Sequence, residues 1–205
     1  MKPPELATRA TPRQDRSRAT KDLVLQVAAA VLGEVGLEGF NTNLIAERAG
    51  VGPRAIYRYF PNKFAILGAL ASELLELERA WVGDLSAIGA AEDWRIGVER
   101  SIVGYFDSAA AQPGYAALRT AIHALPELQA IVNDANGSLQ DDLAQGLKAL
   151  GVDLAPPRLN ALCRTIIEAS ARILEIALEA PPTEAQLLLG ELKRMVVNLL
   201  RDYLP

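Results

Sequence analysis

The chain has 205 residues, half of them hydrophobic and 22% charged, with one cysteine, one histidine and a formal net charge of −4. That length carries one mid-sized domain or two small ones around a packed core. No apolar run approaches the ~20 residues that span a bilayer, so no membrane partner is expected. Cys163 stands alone, which leaves no intrachain disulfide and no cysteine zinc site, and a reducing cytoplasm fits best.

The net charge hides an asymmetry. Residues 1–63 carry 10 Lys/Arg against 6 Asp/Glu, whereas residues 64–205 carry 11 against 19. A basic first third on an acidic body points to a polyanion partner for the first part only. Residues 1–17 are polar and contain prolines together with Arg9, Arg13 and Arg16. They are expected to form a flexible basic arm without a secretory h-region.

From Arg18 the pattern turns helical. Leu23, Val24, Val27, Ala28, Val31 and Leu32 recur at three- and four-residue spacing, and Gly33, Gly36 and Gly39 close that helix. Two short helices follow in residues 41–61. Asn62 caps a longer one whose stripe is Leu67, Leu70, Leu74, Leu77 and Trp81. Asp93 caps the next, and Pro113-Gly114 breaks it. Tyr115 to Leu125 makes a short helix, and Pro126 opens another that Gly151 ends. Pro156-Pro157 starts a helix that Pro181-Pro182 breaks, and Thr183 with Gln186 has the form of a capping box for the last. No period-2 alternation appears, so the chain reads as all-α with about nine helices.

The two short helices carry the functional signal. A helix-turn-helix needs a small residue where its helices cross, and Ala46 supplies it. Its turn needs a residue that tolerates positive φ, and Gly50 supplies that. Ile45, Ala49, Val51 and Ile56 are spaced to bury the apolar sides of both helices. Gly52 and Pro53 suit the N-cap and N1 positions of the second.

Thr42-x-x-Ile45-Ala46-x-x-Ala49-Gly50-Val51, followed by Ile56-Tyr57-x-Tyr59-Phe60-x-x-Lys63 and Leu67, resembles the signature of the tetracycline-repressor (TetR) family of regulators. The resemblance implies a helix-turn-helix DNA-binding domain over residues 18–62 and a ligand-binding and dimerisation domain over 63–205. It also implies a homodimer on a palindromic double-stranded DNA operator. Residue by residue, it places Thr42 and Asn43 at phosphate or a base, and Pro53, Arg54 and Ala55 at base edges. Tyr57, Arg58 and Tyr59 fall at phosphate or base, and Lys63 at phosphate. Arg54 is the candidate for bidentate readout of guanine. Gly52 departs from the family, which commonly has Ser or Thr there, so the cap is weakened and the phosphate contact expected there is either missing or made by the backbone.

The body offers no catalytic constellation and no metal set, so no enzyme activity and no cofactor are expected. Trp81, Tyr105, Phe106, Tyr115 and Arg119 fall on the helices that line the family's cavity for an effector of unknown identity. His123 completes the set, although a packing or hinge role is commoner for such a residue. Arg164, Glu168 and Arg172 at four-residue spacing suggest an ion-pair ladder. The last two helices are apolar over more than one face. Leu159, Leu162, Ile166, Ile173, Leu188, Leu192, Met195 and Leu199 are the candidate dimer interface, unless one chain covers both faces itself. The reading is a small-molecule-responsive repressor. The alternatives are an activator or effector-independent regulator of the same fold, and a helical small-molecule-binding protein or enzyme without a DNA role.

Overall fold

The computed structural model describes residues 15–86 and 93–204, with side chains at 18–81, 93–133 and 137–204. The greater part of the expected arm, with Arg9 and Arg13, lies outside the described residues. Among the described residues there are nine α-helices and no strand: α1 (Asp15–Gly39), α2 (Thr42–Arg48), α3 (Pro53–Tyr59), α4 (Lys63–Ser86), α5 (Trp94–Ala110), α6 (Tyr115–Ala124), α7 (Pro126–Ala149), α8 (Pro156–Glu179) and α9 (Pro182–Arg201). No helix among them is long and apolar enough to cross a membrane.

Local chemistry sets most of the boundaries. α1 is interrupted at Gly36, whose φ of 66° lies in the left-handed region that glycine enters without strain. The Asn62 carboxamide accepts the Ala65 N–H at 3.0 Å and so caps α4. Asp93 caps α5 through the Arg95 N–H at 3.0 Å, a bond that holds its carboxyl below the usual carboxylate range. Gly114 (φ 71°) and Gly151 (φ 105°) stand at the breaks before α6 and after α7. α9 begins at Pro182, with Pro181 in the cap position. Thr183 is therefore already inside the helix, and the expected Thr183–Gln186 capping box does not form. Pro182 at N1 sets the start instead.

The chain divides into two compact units. The first comprises residues 1–75 and 112–133, the second 76–111 and 134–205, so the covalent run of α4 belongs to both. In the first unit, Val24, Ala28, Val31 and Leu32 of α1 are at most 1% exposed, as are Phe40, Ile45, Ile56, Phe60, Ile66 and Leu67. α1 packs against α6 at a glycine crossing: a Cβ on Gly114 would lie 2.1 Å from the Ala29 carbonyl oxygen. In the second unit α5, α8 and α9 pack on one another. Their core includes Trp94, Val98, Ile102, Ile166, Leu174 and Val196. A small apolar cavity of ≈ 20 Å³ lies among Val98, Leu143, Leu147, Ile166 and Val196.

Burial corrects the expected interface. Leu159, Leu162, Ile166 and Leu192 are 7% exposed or less within a single chain, so they belong to its own core and leave no surface for a partner. Ile173, Leu188, Met195 and Leu199 stay partly exposed, Ile176 (40%) adds apolar surface on α8, and Leu187 (68%) adds apolar surface that the sequence reading did not single out. The expected ladder is replaced as well. Arg172 pairs with Glu175 at 2.9 Å, one turn on, while Arg164 and Glu168 are exposed.

Candidate nucleic-acid interface

α2 and α3 are each only seven residues long. Isolated helices of that length do not hold in water, so packing and caps must fix them. Asn41 does so at the start of α2. Its side chain accepts the Leu44 N–H at 2.9 Å and donates to the Gly39 carbonyl at 2.9 Å. The end of α2 is closed by a Schellman motif. The Gly50 N–H donates to Glu47 O at 3.2 Å and the Val51 N–H to Ala46 O at 3.0 Å, with Gly50 at φ 63°. Pro53 opens α3 behind Gly52, which contributes no side-chain cap. Gly52 sits at φ −69° with open space around it, so its backbone does not require glycine.

Beneath this surface Ile45, Ile56 and Phe60 are wholly buried and Ala46 is 2% exposed, the scaffold its spacing predicts. Above it Asn43, Pro53, Arg54, Tyr57 and Arg58 are exposed, and Thr42 and Ala55 partly so. Arg54 has no hydrogen-bond or ion-pair partner among the described residues. The Thr42 and Tyr57 hydroxyls share a hydrogen bond of 3.1 Å that ties the start of α2 to the middle of α3. Arg48, which the sequence reading did not single out, grips Glu34 through both of its terminal nitrogens at 3.1 and 3.4 Å and fastens α2 to α1.

One expected contact is corrected, and a second residue carries a further task. Tyr59 is 2% exposed and lies edge-on to Phe60, so its ring is core. It sits three residues after Ile56, on the inner face of α3, and the Arg58 guanidinium covers the ring at 5.6 Å. Lys63 is part-buried, and its Nζ donates to the Phe40 carbonyl at 3.2 Å. That bond joins the α1–α2 connection to the start of α4. An ammonium has three donors, so two remain for an outside acceptor.

The residues expected at a ligand cavity separate. Trp81 and Tyr105 meet in the second unit, with ring centroids 5.3 Å apart, while Phe106 is half-buried. Tyr115 and Arg119 share one buried face of α6 in the first unit. His123 is exposed, and its carbonyl accepts from Gln129 Nε2 at 2.8 Å. The sequence reading missed Glu78, which is 7% exposed. The signal was available: Glu78 stands between Leu74 and Trp81 on the apolar stripe itself.

Comparison with known proteins supports the same arrangement. The model of bacterial regulatory proteins of the tetR family matches residues 24–70, and that of the tetracyclin repressor-like C-terminal domain matches residues 93–200. The class C tetracycline repressor of Escherichia coli is 31% identical over 105 residues, 48% of this chain and 46% of that protein. The class A repressor from transposon 1721, also of E. coli, is 38% identical over 98 residues, 44% of each. The chain thus spans about half the length of the curated relatives it matches. A TetR-family regulator from Streptomyces coelicolor superposes with a TM-score of 0.69 at 20% identity, covering 93% of this chain and 100% of the other. The SmeT–triclosan complex superposes with a TM-score of 0.70 at 17% identity, covering 91% and 92%. At such identities the likeness is one of fold. The two matched models, lying over the helix-turn-helix and over the helices that follow it, show that this chain belongs to the TetR family of bacterial regulatory proteins.

Proposed function

We propose that this chain is a ligand-responsive transcriptional repressor that binds a palindromic operator as a homodimer. The observation that carries the reading is the position of Arg54. It is exposed, without a partner among the described residues, on the first turn of α3, above a buried scaffold and beside the Thr42–Tyr57 hydroxyl pair. A guanidinium held there suits bidentate recognition of guanine O6 and N7 in the major groove. Asn43, Pro53, Ala55 and Arg58 supply the rest of the reading surface, and Lys63 contributes its remaining donors to a phosphate. Such phosphate contacts position the protein and make binding fall with salt.

In a dimer the two α3 helices enter successive major grooves, about 34–36 Å apart. The apolar surface left on α8 and α9, with Ile173, Ile176, Leu187, Leu188, Met195 and Leu199, supports self-association there. An effector acts from the helices of the second unit through α4, whose chain runs on from the cap that Asn62 makes beside the reading head. Tilting α4 respaces the two α3 helices, and the difference in DNA binding between the two spacings is the coupling energy, typically ~1–3 kcal/mol. A TetR-fold structure in complex with triclosan supports the idea that this fold accepts an effector. DNase footprinting of the purified protein on the DNA flanking its own gene should protect a two-fold symmetric site. Failure there and in a genomic selection would sink the operator claim.

A further inference from the structure

The outer surface of α3 carries two rows of side chains with different chemistry. Arg54 and Arg58 stand one turn apart, and Pro53 and Tyr57 form the neighbouring row. Tyr57 is 42% exposed, and its hydroxyl lies 3.1 Å from Thr42 Oγ1. The scaffold uses neither hydroxyl. Asn41, not Thr42, caps α2 by accepting the Leu44 N–H, and the buried side of α3 is Ile56 and Tyr59. A neutral bond between surface hydroxyls adds little to two helices that Ile45, Ala46 and Ile56 already hold from beneath.

The protons of the pair can be counted. Each hydroxyl has one proton and two lone pairs. The bond between them consumes one proton, which leaves one O–H to donate elsewhere. At 3.1 Å the bond is longer than the ~2.7–2.8 Å usual between hydroxyls. Engaging the spare proton with an anionic oxygen polarises the pair and tightens it, because hydrogen bonds in a chain strengthen one another. A phenol is the better donor and an aliphatic hydroxyl the better acceptor. The order that suits both groups is therefore Tyr57 to Thr42 to the anion.

We propose that Thr42 and Tyr57 act as one hydroxyl relay on a single DNA phosphate. Tyr57 donates to Thr42 Oγ1, and Thr42 donates to the phosphate oxygen. Tyr57 is then a positioning residue that acts through Thr42, and its hydroxyl reads no base. The relay brings no charge to the phosphate, unlike Lys63. It rests on the proposed reading that this unit binds DNA.

The test uses the full chain on a genomically selected operator and on its scrambled counterpart. Thr42→Val and Tyr57→Phe each delete a hydroxyl and keep the shape. Thr42→Val should weaken binding to both duplexes about tenfold, the scale of a lost hydrogen bond to a charged group. Tyr57→Phe should weaken it a few-fold, and the double variant should match Thr42→Val alone. The dependence on salt should stay unchanged in all three, because no charge is lost. Thr42→Ser keeps a hydroxyl and should restore most of the affinity. A methylphosphonate, which replaces one anionic oxygen by a methyl group, is then walked along the operator. At one phosphate the loss seen with the unaltered chain should vanish in Thr42→Val and shrink in Tyr57→Phe. Losses that multiply in the double variant, effects at two different phosphates, a loss confined to the operator, or full affinity in Thr42→Val would overturn the relay. The two readings fail differently. If the unaltered chain binds neither duplex, the DNA-binding reading falls and the relay with it. If it binds with a steep salt dependence while the two hydroxyls act independently, the relay alone falls.

Discussion

Arg54→Ala and Lys63→Ala should fail in different ways. Arg54 is exposed, lies on the first turn of α3 and has no partner within the described residues, so truncating it removes nothing seen to hold the fold. The loss falls on the operator: ~1–3 kcal/mol of discrimination per guanine contact, or roughly 5- to 150-fold in affinity, with binding to random DNA nearly unchanged. Lys63 has two tasks. Its part-buried Nζ donates to Phe40 O at 3.2 Å, and a charge-assisted bond of that kind is worth ~1.5–3 kcal/mol, towards the lower end where solvent reaches it. Lys63→Ala should therefore lose ~1–2 kcal/mol of stability. It should also weaken operator and random DNA by the same factor and lower the salt slope by ~0.9 for each phosphate that the protein no longer neutralises. The assay pairs urea unfolding with fluorescence anisotropy on operator and scrambled duplexes across a salt series. Equal losses on both duplexes for Arg54→Ala, or unchanged stability for Lys63→Ala, would refute the division of roles.

Other substitutions test the scaffold. Gly114→Ala and Gly50→Ala impose the same left-handed strain of ~1–2 kcal/mol, but only at Gly114 does the new Cβ collide, 2.1 Å from Ala29 O. Gly114→Ala should exceed Gly50→Ala by a further ~1–3 kcal/mol in chemical denaturation, and equal effects would contradict the close α1–α6 crossing. Gly52→Ser should gain a few tenths of a kcal/mol by supplying the missing cap, read as a small rise in Tm; a loss would mean that the site needs glycine. Burial pushes the Cys163 thiol up to about 11, and Cys163 is 0% exposed. The native protein should react with a thiol reagent at pH 8 only as fast as it unfolds, and immediate modification would contradict the packing of α8.

The helix-turn-helix was legible because its constraints are local. Gly50 must adopt positive φ, Ala46 must be small, and Asn62 caps where its side chain can reach an N–H; none of this depends on distant parts of the chain. Tyr59 was misread because a family position does not say which way a ring points, whereas its three-residue distance from Ile56 does. The role of Lys63 was half hidden, since its partner is a backbone carbonyl 23 residues away. Four of the eight expected interface residues failed for a different reason. A heptad repeat shows that a face is apolar but not whose core it enters, and Leu159, Leu162, Ile166 and Leu192 enter their own. The hydrogen bond from the Tyr105 hydroxyl to Glu78 needed the fold, because the two residues are 27 apart in the chain.

The central claim is that α3 reads a sequence. The most direct measurement is the ratio of affinities for a genomically selected duplex and for its scrambled counterpart at physiological salt. The account predicts a two-fold symmetric site with half-sites centred one helical turn apart, bound at least ~10³-fold more tightly than the scrambled duplex. It also predicts loss of most of that ratio in Arg54→Ala. A ratio near one, or a high ratio that Arg54→Ala leaves intact, would contradict it.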